Sequence, residues 1–178
     1  MTRRLLFACL VVLALSVSSA AAQEPLRIVP LVNDRQVFVS FEFPDAYTGG
    51  VRELIESGLA TTFTYDLELR MPARVWVDRT IATTAVTVTV QYDNLTRRYS
   101  LTRTVDGRVE DALVTEREEE VRRWVTAVHR LPLCSTAKLE RNREYYVRVS
   151  GRQRPQRSLF PLELAATISG QTKFTFIP

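Results

Sequence analysis

A chain of 178 residues, 46% hydrophobic and 25% charged, is long enough for one sizeable core and too short for several domains. Its 24 Lys and Arg against 20 Asp and Glu leave a net charge of +4, with acids and bases interspersed. That balance excludes the electrostatic footprint of a nucleic-acid binder, and one histidine with two cysteines cannot supply a structural zinc site of four nitrogen and sulfur ligands.

The first segment has the three parts that export requires. Arg3 and Arg4 are a short positive start, Leu5 to Val17 is an apolar run, and Ser18 to Ala22 is a small-residue tail with Ala20 and Ala22 in the Ala-x-Ala relation. The apolar run is shorter than the ~20 residues needed to cross a bilayer, and Gln23-Glu24-Pro25 ends it. Residues 1–22 therefore read as a cleavable signal peptide and 23–178 as a single β-rich domain of the periplasm or cell envelope. The signal carries two cations and no acid, so its removal leaves 156 residues at net charge +2. It also takes Cys9, which leaves Cys134 as the one mature cysteine, read as a small buried apolar residue rather than a reactive thiol. The mature chain has no apolar run of 18 residues, so no membrane span is expected after cleavage.

Beyond Pro25 the hydrophobic pattern alternates with period two, the mark of strands with one wet and one dry face. Leu26–Val32 and Gln36–Phe43 form a pair around a tight turn at Asn33-Asp34. Phe63, Tyr65, Leu67, Leu69 and Met71 share one face of a long strand, and Val86, Val88, Val90 and Tyr92 one face of the next. Arg98–Val105 and Arg108–Val114 flank Asp106-Gly107, whose two residues suit the positive φ of a hairpin turn. Tyr145, Val147 and Val149 mark a further strand, Arg152–Arg157 a basic loop, and Phe174 and Phe176 a last short strand.

Two amphipathic helices interrupt the strands. Val51, Leu54, Ile55 and Leu59 have helical spacing, with Gly58 placed to end the helix. The second opens on Thr115-x-x-Glu118, a capping-box pattern, and carries Val121, Trp124, Val125 and Val128 as an apolar stripe, with His129 in its last turn. Trp124 is expected to be its main anchor, at a cost of about 3–5 kcal/mol when cut to Ala. With strands first and helices inserted, the fold class is mainly β: an antiparallel β-sandwich or open barrel of seven to nine strands with two packed amphipathic helices.

Candidate chemistry is sparse. His129, the one histidine, has no Gly-x-Ser-x-Gly elbow to serve, so it reads as a solvent-facing residue. Glu116 to Glu120 lack the loop spacing of a calcium site and read as a solvated helix start. Gly49-Gly50 is the approach to a helix rather than a phosphate loop. Trp76, Trp124, Tyr92, Tyr99, Tyr145 and Tyr146 could line a groove, but their spacing suits core positions better. No catalytic, cofactor-binding or metal-binding residue is assigned, and no cofactor is expected.

Gly58 to Leu69, Leu95-Thr96-Arg97-Arg98-Tyr99, Leu131-Pro132-Leu133 and Tyr146-Val147-Arg148-Val149, with Trp76 and Tyr92, together resemble the bacterial family called domain of unknown function 4390. The likeness runs from about Leu26 to about Val149. Members carry a longer apolar end with Trp, from which Leu159–Pro178 departs. The resemblance implies a small exported envelope protein, with a sensory accessory role beside a two-component kinase as one setting. The expected function is a non-enzymatic periplasmic accessory or binding module for an envelope partner. The alternatives are an enzyme using two buried carboxylates on envelope glycans, and a carrier of apolar ligands with an internal cavity of a few hundred Å³.

Overall fold

The computed structural model describes residues 26–73, 77–155 and 168–177. The signal segment, Trp76 and residues 156–167 lie outside the described residues. The fold is mainly β, with nine strands in two antiparallel sheets and two helices among the described residues, as a sandwich without a closed barrel. In chain order the elements are β1 (Arg27–Asn33), β2 (Gln36–Glu42), α1 (Gly49–Glu56), β3 (Thr61–Met71), β4 (Arg79–Asp93), β5 (Arg98–Val105), β6 (Arg108–Thr115), α2 (Glu118–Thr126), β7 (Ala127–Ser135), β8 (Arg143–Pro155) and β9 (Ile168–Phe176). The small sheet has the order β1-β2-β7, and the large one β6-β5-β4-β3-β8-β9.

Alternation decides which side chains meet between the sheets. Phe63, Tyr65, Leu67 and Leu69 of β3 are buried, as are Val86, Val88 and Val90 of β4 and Tyr145, Val147 and Val149 of β8. Val37, Val39 and Phe41 of β2 and Val128, Leu131 and Leu133 of β7 face them from the small sheet. Asp106 and Gly107 take φ of 49° and 79° between paired Val105 and Arg108, the turn that Asp-Gly favours.

Several boundaries differ from the sequence reading. The first hairpin turns at Asp34-Arg35 (φ 49° and 61°), because Asn33 pairs with Gln36 and this register keeps Val32 opposite Val37 on the inner face. The basic segment from Arg152 continues β8 as far as Pro155, paired to β3. The capping box does not form. Thr115 Oγ1 accepts from the Arg117 amide at 3.1 Å, and Arg117 is the cap of α2 without a side-chain bond. The helix ends at Thr126, so Val128 and His129 belong to β7. Irregular pairing around Ser40 places Val128 and Leu131 three residues apart on one buried face, which imitates a helical interval.

Trp124 is only half-buried, with the Arg103 guanidinium 4.5 Å over its ring, whereas Val121 and Val125 are fully buried and anchor the helix. An α-helix leaves its last carbonyls without intrahelical partners, and three of them are met here by other elements. Arg123 O still accepts from the Ala127 amide in the last regular helical bond, while Trp124 O accepts from Arg103 Nη2 at 3.3 Å. Val125 O accepts from the Tyr65 hydroxyl at 2.5 Å, and Thr126 O from the Phe43 amide at 2.6 Å. Tyr65 therefore joins three layers, since its ring also lies 5.2 Å from that of Phe41 and 5.5 Å from that of Phe43. Gly151 is its partner on β8, where a Cβ would come within 3.2 Å of the ring. Burial pushes the Tyr65 phenol well above its ordinary range, so it remains a donor. Tyr65→Phe should cost about 1–3 kcal/mol in urea unfolding, because Val125 O is then buried without its donor. A loss below about 0.5 kcal/mol would show that this carbonyl finds another partner.

Candidate functional site

The residues singled out from the sequence are not brought together. His129 is exposed on β7. Cys134 is buried one strand position from the end of β7, and burial pushes its thiol up, which keeps it protonated and unreactive. The acidic run is spent on ion pairs: Glu116 with Arg98 at 2.9 Å, Glu118 with Arg52 at 3.5 Å, and Glu120 with Arg117. Tyr145 is fully buried and Tyr99 nearly so, its ring 4.6 Å from that of half-buried Tyr92. No Asp or Glu among the described residues is buried. Asp78 is held below the usual carboxylate range by the Tyr146 hydroxyl at 2.6 Å and the Ala73 amide, and Asp93 by the Leu95 amide and Thr96. Both shifts run opposite to that of a general acid. A cleft beside Phe43, Phe63, Tyr65 and Gly151 holds about 60 Å³, room for a water or two rather than an acyl chain.

The small sheet presents a different kind of surface. Register places Val29 opposite Ser40, and Leu31 opposite Phe38, which is in turn opposite Pro132. These residues face away from the core, because Val37, Val39 and Phe41 occupy the inner parity of β2. Val29 and Leu31 are 45% and 46% exposed, and together with half-buried Phe38 and exposed Pro132 they form an apolar strip across three strands. A cation is fixed over it. Arg130 takes φ of +50° at the irregularity between β2 and β7, and its amide donates to Ser40 Oγ at 3.0 Å. Its guanidinium then stands 5.4 Å from the Phe38 ring centre. Left-handed backbone is costly for a side chain without a local hydrogen-bonding group, and such strain concentrates at functional positions. The sequence signal for this face was Phe38, an aromatic at the parity that alternation assigns to water, beside a β1 that is apolar at both parities.

The sheet edges are closed to strand addition. β1 carries Pro30 and β7 carries Pro132, neither with an N–H to offer a further strand. β6 has an irregularity at Glu110, between the partners of Arg103 and Thr104 of β5, with the acidic pair Glu110-Asp111 there, and β9 bears Lys173. A face, not an edge, is what this molecule offers.

These features define a two-sheet antiparallel sandwich with a built outer face and no assembled reaction centre among the described residues. The chain belongs to the family described as domain of unknown function (DUF4390), whose model matches residues 25–176. The match therefore continues well past Val149 and takes in β9. No curated protein and no solved structure matches the chain.

The backbone at Arg130 gives a test of the strained cation. Arg130→Val should be less stable than Arg130→Gly by about 1–2 kcal/mol in chemical denaturation, since only glycine takes positive φ freely. Equal stabilities would mean that residue 130 has ordinary extended backbone in solution.

Proposed function

We propose that this protein is an exported, non-enzymatic module that docks an envelope protein through the outer face of its small sheet. The observation that carries this reading is the apolar strip of Val29, Leu31, Phe38 and Pro132 with Arg130 held over it. An exposed apolar strip under a fixed cation is expensive to maintain on a soluble domain without a partner to cover it. Arg27 and Glu42 face each other on the outer side of β1 and β2 and balance in charge, so the complementary partner surface is apolar at its centre, with an acid to meet Arg130. The export signal at residues 1–22 supports the compartment, and the signal-like cut after Ala22 supports a mature chain starting at Gln23.

The test is photocrosslinking in intact cells with a photoreactive residue at Leu31, and at Thr89 on the opposite sheet as control. One discrete adduct from position 31, absent from position 89 and lost with Arg130→Glu, is expected, on a chain whose N-terminus is Gln23. Equal adducts from both positions, or an adduct indifferent to Arg130→Glu, would overturn the docking face. A chain retaining residues 1–22 would overturn the cleaved signal.

A further inference from the structure

A second concave region lies between the end of α1 and the β4–β5 hairpin, away from the small sheet. It is a shallow depression open to solvent, with about 480 Å³ of space over it. Ser57 and Gly58 form one wall, and Gln91, Tyr92, Asn94 and Ser100 the other. Gln91 and Ser100 are directly opposite each other on β4 and β5, and both are exposed.

The hairpin that carries this wall is rigid for local reasons. Asp93 Oδ1 accepts from the amides of Leu95 at 2.8 Å and Thr96 at 3.4 Å, and Oδ2 from Thr96 Oγ1 at 2.9 Å. The Arg97 amide closes on Asp93 O at 2.8 Å, with Arg97 at φ +57°. The one carboxylate of the depression is thus committed to holding the turn. Gly58, at φ +84°, leaves room for Asn94 to lie against bare backbone: a Cβ there would come within 2.9 Å of Asn94 Nδ2. Glycine suits residue 58 because its φ of +84° is a conformation that L side chains rarely adopt. The walls hold their shape before any ligand arrives, which lowers the cost of binding.

The lining chemistry selects the ligand class. No Lys or Arg lines the depression and its single charge is negative, which disfavours phosphates and other anions. The lining, which also includes Asp93 and Leu95, is more polar than apolar, which disfavours acyl chains. Gln91 and Asn94 each offer donors and an acceptor, Ser100 offers a hydroxyl, and the Ser57 hydroxyl, which donates to Leu54 O at 2.6 Å, offers an acceptor. A ligand that presents alternating donors and acceptors on an uncharged ring matches this set. We propose that the depression binds an uncharged saccharide of one or two rings.

The experiment is an NMR titration of ¹⁵N-labelled mature chain with maltose and with N,N′-diacetylchitobiose, using glucose 6-phosphate as the anionic control. Saturable shifts of the Gln91 and Asn94 side-chain amides and the Gly58 backbone amide are expected with at least one neutral disaccharide. Ser100→Arg should fold normally, because the position is exposed, and should weaken binding by about tenfold or more by occupying the depression. Several results would overturn the proposal: no saturable shift with either disaccharide, shifts unchanged in Ser100→Arg, or stronger binding of the phosphorylated sugar. Should Ser100→Arg lose its fold, Asn94→Ala takes its place with the same expected loss. Shifts confined to the small sheet would also count against it, and would leave the docking-face reading to stand or fall by crosslinking.

Discussion

The last turn of α2 presents three carbonyl oxygens that the helix itself cannot pair, those of Trp124, Val125 and Thr126, and three other parts of the sandwich meet them. Their partners come from three places: an arginine of β5, a tyrosine of β3 and the chain just after β2. Buried carbonyls without donors would each cost on the order of 1–3 kcal/mol. A helix with no C-terminal glycine, running directly into a strand, is tolerable only with such partners. The acids of its first turn, Glu118, Glu119 and Glu120, lie at the end of the dipole that favours them.

This constraint fixes how the two sheets sit. Tyr65 reaches Val125 O across a close approach to Gly151 of β8, and the same ring packs on Phe41 and Phe43 from the small sheet. β7 starts where α2 stops, so its register against β2 is set from that end, with Ala127 opposite Glu42. The irregularity that follows turns Arg130 into left-handed backbone and sets its guanidinium over Phe38. The outer face of the small sheet is therefore a consequence of how the helix ends, several residues upstream.

Much of the fold is legible locally, and the exceptions have physical reasons. β3, β4 and β8 alternate without interruption, so their faces are read directly from Phe63–Leu69, Val86–Val90 and Tyr145–Val149. Asp106-Gly107 names its own turn. β7 is hidden because its pairing with β2 is irregular twice: Val128 and Leu131 fall three apart, and Leu133 and Cys134 are adjacent yet both buried. With Val121 and Val125 before it, Val128 completes a helical interval. The apolar outer face is hidden for another reason. Val29 and Leu31 are ordinary strand residues until the pairing with Phe38 and Ser40 shows which side they occupy. The depression at the hairpin joins Gly58 to Asn94, a long-range meeting with no periodicity to announce it.

Native-state hydrogen exchange at the Phe43 and Ala127 amides tests the pinned helix end most directly, since these two donors meet Thr126 O and Arg123 O. The account predicts that both exchange only through global opening, with protection equal to that of core amides of β3 such as Leu67 and with the denaturant dependence of full unfolding. Exchange of either amide through local fraying, independent of denaturant and well ahead of β3, would contradict it.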